Sequence, residues 1–355
     1  METKKADLLS LDLSETEALV ASMGEARYRA EQLFVGMHKG VSPAEMTNLG
    51  KSFKEKLSEL AYFYIPTVER KLVSKIDGTI KYLFLLNDGN CVESVVMKYK
   101  HGNTICISSQ VGCRMGCAFC ASTIGGKVRD LRPSELLGQV IAASLDCGER
   151  ISNIVMMGIG EPLDNYDNVI KFLRLVGHEK GLNIGYRHIS LSTCGIVDKI
   201  KKLADEDLAI TLSISLHASD DETRSSIMPI NKKWSIDELL DACKYYFSKT
   251  GRRISFEYTL ISGKNDSAEA AKRLARLLNS RLRSRTETMP IHVNLIPVNE
   301  VSENDFVRSD KRSVERFAEI LNGLGIRATV RRRLGADINA SCGQLRRARE
   351  AENDK

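Results

Sequence analysis

The sequence predicts an α/β protein: a partial (β/α)6 barrel, preceded by a small all-helical N-terminal module and an antiparallel β extension. Three observations carry this. From residue 103 onward, β-rich stretches alternate six times with amphipathic helical ones, which implies a parallel sheet with right-handed crossovers. Residues 67–99 hold two Asp-Gly turn signals between β-rich runs, the pattern of an antiparallel meander. Residues 1–62 read as short capped helices.

In the N-terminal module, Ser14 with Glu17, Ser42 with Glu45 and Ser52 with Glu55 have capping-box spacing. Pro43 suits a first helical position, and Gly24 and Gly40 suit helix ends. Arg27, Arg29, Lys39, Lys51 and Lys54 make this module basic. In the meander the turns fall at Asp77-Gly78 and Asp88-Gly89. Strands are then predicted at 103–108, 153–157, 188–192, 209–216, 253–260 and 291–296. The helices that follow them are predicted at 133–146, 166–178, 196–204, 235–249, 267–281 and 311–324. A last run, 327–332, suits an edge strand. A closed eight-unit barrel takes about 250 residues, and here roughly 225 carry six units, so the barrel is open. The expected division is 1–62, 63–100, 101–335 and a C-terminal loop with a basic tail, 336–355.

The 355 residues, 43% hydrophobic and 28% charged, suit a globular chain with one large domain and a smaller one. No run approaches the roughly 18 apolar residues of a membrane span. Residues 1–15 lack the apolar core and cleavage site of a signal peptide. The expected location is cytoplasmic, with no membrane partner. The nine cysteines are then metal ligands, catalytic thiols or buried residues rather than structural disulfides. A net charge of +6 permits a nucleic-acid partner without requiring one. Arg331, Arg332 and Arg333, with Arg346, Arg347 and Arg349, read either as a nucleic-acid patch or as a solvated face with a frayed tail.

Ligands of such sheets bind at the carboxyl ends of the strands, and the unusual polar motifs fall there one after another. Cys113-x-x-x-Cys117-x-x-Cys120 follows the first strand, and Gly158-Ile159-Gly160-Glu161-Pro162 the second. The third ends in Ser192-Thr193, the fourth in Ser215-Leu216-His217 and the sixth in Asn294-Leu295-Ile296-Pro297. Thiolates are the usual ligands of iron–sulfur cubanes, four per cluster. Three on one loop, with no fourth at cluster spacing, leave one iron open. A structural zinc would want a fourth Cys or His nearby, and none lies between Gln110 and Arg132. Three incidental buried cysteines are the other plain reading, but this spacing on the first β/α loop is specific and points to a 4Fe–4S cluster held by Cys113, Cys117 and Cys120, whose open iron would take S-adenosylmethionine (SAM).

The cysteine motif resembles that of radical SAM enzymes, and the chain as a whole resembles the RlmN/Cfr family of RNA adenine methyltransferases. The likeness is carried by residues 106–113, 156–162, 192–193, 215–217, 228–231, 294–297 and 342–345, and spans residues 20–347. It implies a radical-SAM barrel in which Gly160 and Glu161 meet the SAM amino group, with Glu161 as partner of the ammonium. Ser192, Ser215, Leu216, His217 and Asn294 would bind the rest of SAM. Without the family, Ser192 and Ser215 read as ordinary strand ends and His217 as a packed histidine.

Two SAM molecules per turnover are implied. One methylates Cys342; the second is reductively cleaved, and its 5′-deoxyadenosyl radical takes hydrogen from that methyl group. The carbon radical adds to adenine, a base removes the ring proton, and Cys106 attacks the Cys342 sulfur to release product as a disulfide. Glu93 or the Cys106 thiolate is the proton acceptor. Read alone, Cys106 is a small buried residue, Glu93 a solvent-facing residue of an alternating strand, and Cys342 a candidate nucleophile near Arg331–Arg333. Cys91, Cys147, Cys194 and Cys243 read as structural. Cys194, Asn339 and Ser341 depart from the family pattern, where Ser, Asp and Ala are usual.

Pro162 and Pro297 resemble the C2-methylating branch, whose substrates are adenosine 2503 of 23S rRNA and adenosine 37 of certain tRNAs; the alternative is C8 methylation of the same rRNA adenine. A flavodoxin- or ferredoxin-type electron donor and a monomeric state are expected. Two other readings stand beside this one: a radical-SAM enzyme with a small-molecule or peptide substrate, and a non-catalytic RNA-binding protein with a structural cluster.

Overall fold

The structure, a computed structural model, describes residues 5–283, 289–299, 305–338, 340 and 345. The N-terminal elements are β1 (Ala6–Asp7), α1 (Leu13–Ser22), α2 (Tyr28–His38), α3 (Lys51–Leu60) and β2 (Ala61–Tyr62). The meander is β3 (Thr67–Val73), β4 (Ile80–Leu85) and β5 (Cys91–Tyr99). Next come β6 (Gly102–Cys106), β7 (Gln110–Gly112), β8 (Lys127–Asp130), α4 (Pro133–Cys147), β9 (Ile151–Met156) and α5 (Tyr166–Gly177). They are followed by β10 (Ile189–Thr193), α6 (Val197–Ala204), β11 (Thr211–Ser215), α7 (Asp221–Ile227) and α8 (Ile236–Thr250). The chain closes with β12 (Ile254–Leu260), α9 (Ala268–Leu282), β13 (Ile291–Pro297), α10 (Lys311–Gly323) and β14 (Arg327–Val330).

Ten strands form one sheet in the order β14-β13-β12-β11-β10-β9-β6-β5-β4-β3. From β6 to β14 all neighbours run parallel, and the six predicted β/α units and the edge strand are present. From β6 back to β3 the pairing is antiparallel, so the meander prolongs the barrel sheet. The interior strand β12 is buried along its whole length, as a parallel strand covered on both faces must be. The helices bury one face each: α5 contributes Val169, Phe172, Leu173 and Val176, and α9 contributes Leu274 and Leu278.

In the N-terminal module, α1–α3 are joined end to end by the short parallel pair of β1 and β2, Ala6 opposite Ala61, so the module is not purely helical. The caps also differ from expectation. Asp12, not Ser14, starts α1: its carboxylate accepts from the Glu15 amide at 2.8 Å, and Glu15 accepts from the Asp12 amide at 2.8 Å. A carboxylate is the stronger acceptor for amides at a helix start, and Ser14 donates its hydroxyl to it. Glu45 does accept from the Ser42 amide, at 3.3 Å, but a turn follows instead of a helix. Gly50 caps α3 and leaves Ser52 inside its first turn. The module rests on the barrel through Leu8 and Leu9, both buried, and through Glu15–Lys171 and Glu31–Lys180 ion pairs.

Candidate active site

The cysteine loop is bracketed by a ribbon the sequence analysis did not foresee: β7 pairs antiparallel with β8, Gln110 opposite Asp130 and Gly112 opposite Lys127. Within it, the Cys113 amide donates to Gly126 O at 3.0 Å and the Cys120 amide to Cys117 O at 3.0 Å. Asp164 ties the ribbon to the next loop by accepting from Gln110 Nε2 at 2.8 Å and Lys127 Nζ at 2.9 Å, with Arg114 alongside.

Cys113, Cys117 and Cys120 line one cavity of about 210 Å³ together with Gly160, Glu161, Ser192, Ser215 and His217. Eight of the ten expected metal and SAM residues line this cavity, because their strand ends share one edge of the parallel sheet. Leu216 is the exception: its side chain is wholly buried in the core. Asn294 acts at one remove, donating Nδ2–H to Glu257 at 2.7 Å, and Glu257 lines the cavity. Glu257 was missed. Its only signal was a carboxylate within the otherwise strand-forming run of residues 254–260.

Burial pushes the Cys113 thiol up to about 12, with Glu161 and Cys120 adding to the effect. Cys117 is pushed up further by burial, then by Cys120 and Cys113. Thiols so placed stay protonated at neutral pH unless a metal centre displaces the protons. Among the described residues no three His, Cys, Asp or Glu side chains form a group that could hold a single metal ion. Three thiols spaced along the wall of a void instead fit the corners of a multi-iron cluster.

Gly160 has φ 102, and a Cβ there would stand 2.6 Å from Gln110 Cβ and 2.7 Å from its backbone nitrogen, so only glycine fits. The next residue, Glu161, is 4% exposed. Its carboxylate accepts from the Cys194 amide at 2.7 Å and the Leu163 amide at 3.0 Å. Burial raises its pKa while those two amides pull it down. A carboxylate fixed in a cavity wall is the complement of an ammonium group. His217 sits at φ 57, with Nδ1 accepting from the Thr259 amide at 2.9 Å. Its proton is therefore on Nε2. Burial drops its pKa to about 3, so the ring is neutral. Phe119 of the cysteine loop meets it edge-on, with centroids 4.9 Å apart.

A second cavity, of about 160 Å³, adjoins the first; Met157, Ile296 and Arg331 line both. It holds Cys106, Val95 and Met97 beside Arg308, Arg332 and Arg333. Glu93 lies two residues from Val95 on β5, on the same side of the sheet by strand alternation. The expectation of a solvent-facing Glu93 fails: it is 2% exposed and pairs with the equally buried Lys81, Nζ to Oε2 3.2 Å. The cover comes from the C-terminal segment. Gly335 donates to Asp77 at 2.8 Å, and Asp337 accepts from the Ser74 hydroxyl at 2.7 Å. Leu334 and Ala340 pack with Cys106, Val95 and Met97, while Leu345 packs with Leu83 and Cys91. Cys342, Asn339 and Ser341 lie outside the described residues. Of the cysteines read as structural, Cys243 is buried in the core, but Cys194 lines the first cavity.

Residues 107–275 match the family model of the radical SAM superfamily, and residues 6–63 that of the ribosomal RNA large subunit methyltransferase N-terminal domain. The chain is 54% identical, over 97% of its length and 98% of the relative's, to the probable dual-specificity RNA methyltransferase RlmN of Alkaliphilus oremlandii. It is 53% identical to the protein of the same name from Clostridium novyi, over 96% of this chain and 98% of that one. The chain belongs to the RlmN family. The crystal structure of a radical SAM methyltransferase from Sphaerobacter thermophilus superposes with a TM-score of 0.89, at 41% identity, covering 96% of this chain and 98% of that one. Membership of the RlmN family implies SAM and a 4Fe–4S cluster, and the three-thiol cavity suits both. No helix among the described residues is long and apolar enough to cross a membrane.

Proposed function

We propose that this chain is a dual-specificity RNA methyltransferase that methylates C2 of adenosine 2503 in 23S rRNA and of adenosine 37 in tRNAs. The observation that carries the reading is the pair of adjoining cavities: one lined by three cysteines, Gly160 and Glu161, the other by Cys106 and a group of arginines. The cluster and SAM, bound in the first, supply a methyl group and a hydrogen-abstracting radical, two SAM per turnover.

The chain's own residues do the rest. Glu161 holds the SAM ammonium, Gly160 lets the ligand approach the backbone, and Ser192, Ser215, His217 and Asn294 surround its remainder. Neutral His217 offers Nε2–H as a donor. Val95, Met97 and Met157 give the second cavity apolar walls for a base, and Arg308, Arg332 and Arg333 give it cations for phosphate. Cys342 carries the methyl group, Cys106 resolves the adduct, and Glu93, with Lys81 beside it, accepts the ring proton. Residues 1–62 serve RNA binding. The enzyme works in the cytoplasm as a monomer, with a flavodoxin- or ferredoxin-type donor.

The test is mass spectrometry of nucleosides from rRNA and tRNA treated with anaerobically purified protein, SAM and reductant. The reading expects 2-methyladenosine in both RNAs. 8-Methyladenosine as the main product, or 5′-deoxyadenosine without any methylated nucleoside, would reject it.

A further inference from the structure

Arg224 on α7 is 0% exposed, and its guanidinium donates only to neutral oxygens. Nε reaches Leu216 O at 3.1 Å and Nη1 reaches Asn231 Oδ1 at 2.9 Å. Nη2 reaches Cys194 O at 2.7 Å and Ser215 O at 3.1 Å. Among the described residues no carboxylate pairs with it. Asp221, on the same helix, is engaged elsewhere, accepting from Asn231 Nδ2 at 2.9 Å and the Ile236 amide at 2.8 Å. A fully buried cation without a counter-ion is costly, so the fold retains it for a reason beyond packing.

Its surroundings point to that reason. The carbonyls it gathers belong to the turn whose amide holds Glu161 and to the strand end that bears Ser215 and Leu216. The same short element grips the cysteine loop: the Ala118 amide donates to Ile227 O at 2.9 Å, and a Cβ on Gly116 would touch Pro229 at 3.4 Å. One guanidinium thus joins the wall that faces SAM to the segment that braces the cysteines. Its partner Cys194 lines the same cavity as the three cysteines.

We propose that Arg224 is a positioning residue for the cluster and SAM, and the fixed counter-charge of the thiolate cluster; this rests on the reading that Cys113, Cys117 and Cys120 hold that cluster. A cubane with three thiolates is anionic and gains a further negative charge on one-electron reduction. A cation held in a low-dielectric wall favours the more negative state, so Arg224 holds the reduction potential up. Its planar fork spans carbonyls of separate strands in a way that an ammonium cannot.

The test uses full-length chain, reconstituted anaerobically, as wild type, Arg224→Gln and Arg224→Lys. Iron content, SAM dissociation constant and midpoint potential by EPR-monitored titration are measured on each. Wild type holds about four irons per chain. Arg224→Gln keeps its iron, but its reduction equilibrium falls about tenfold, which is about 59 mV for one electron. Arg224→Lys restores the potential yet still binds SAM at least tenfold more weakly than wild type. An iron-loaded Arg224→Gln with the wild-type potential overturns the counter-charge role. Wild type without iron overturns the reading beneath the proposal, and the proposal with it. If Arg224→Gln does not fold, Asn231→Ala decides the positioning role: it keeps the charge and is expected to weaken SAM at least threefold at unchanged potential, and unchanged SAM binding overturns that role.

Discussion

Acid should loosen the N-terminal module from the barrel, and His38 should be the group responsible. His38 ends α2 and is 3% exposed. Its Nδ1 donates to Phe34 O at 2.9 Å, and its Nε2 is buried with no hydrogen-bond partner. The ring lies against the loop after α5: a Cβ on Gly181 would meet it at 2.8 Å. Burial lowers its pKa to about 4, opposed by the Phe34 hydrogen bond and assisted by His178. In the unfolded chain the value returns to about 6.5. Between pH 6.5 and 4 the unfolded chain therefore binds more protons, and stability falls as pH falls through that window; above 6.5 the contribution is fully present. The gap between 6.5 and 4 is worth about 3 kcal/mol in full, and about 2 kcal/mol has been lost by pH 5. Urea unfolding of wild type and His38→Leu at pH 7.5 and pH 5.0 measures this. Wild type should lose about 2 kcal/mol more than the variant between the two pH values. Parallel losses in the two proteins would refute the reasoning, as would an NMR titration that puts the His38 midpoint near 6.5.

Other residues yield equally direct expectations. Gly160→Ala forces a Cβ to within 2.6 Å of Gln110 at φ 102, which costs about 1–3 kcal/mol of strain; a lowered melting temperature and lost SAM binding by calorimetry are expected, and wild-type affinity would contradict the close approach. Lys81→Met removes the ion-pair partner of the buried Glu93 carboxylate and should cost about 3–5 kcal/mol in urea unfolding, largely recovered when Glu93→Gln is added. Arg332→Ala should leave SAM cleavage unchanged but reduce the slope of log affinity against log salt for single-stranded RNA by about 0.7; an unchanged slope would mean that Arg332 touches no phosphate.

Much of this architecture was legible in local sequence pattern. Each of the six strand–helix units falls within two residues of its expected bounds, because a buried parallel strand and an amphipathic helix each leave a short-range signature. The Asp77-Gly78 and Asp88-Gly89 turns likewise placed β3–β5. What stayed hidden depends on partners distant in the chain. Glu93 looked solvent-facing because β5 alternates, yet its face is roofed by a segment tied to the meander across 258 and 263 residues of sequence. Nothing local in the sequence marks Arg224, because the four carbonyl and amide oxygens around it are brought together only by the fold. The three cysteines stood out by their spacing on one loop, whereas Gly160-Glu161 stood out only as a polar motif at a strand end, its SAM role implied by the family resemblance. Leu216 does not join them, since its side chain turns into the core.

The relay between Cys342 and Cys106 is the claim on which the chemistry turns. Methylene transfer to adenine leaves RNA joined to Cys342 by a carbon–sulfur bond that water does not cleave, and a second thiolate must attack that sulfur for release. Cys106 is 5% exposed at the wall of the arginine-lined cavity. Cys106→Ala protein, purified anaerobically from cells and run on a denaturing gel with and without ribonuclease, measures this directly. A ribonuclease-sensitive protein–RNA band is predicted, absent from the Cys106→Ala/Cys342→Ala double variant. Cys106→Ala protein that carries methylated Cys342 and cleaves SAM, yet retains no RNA, would contradict the relay.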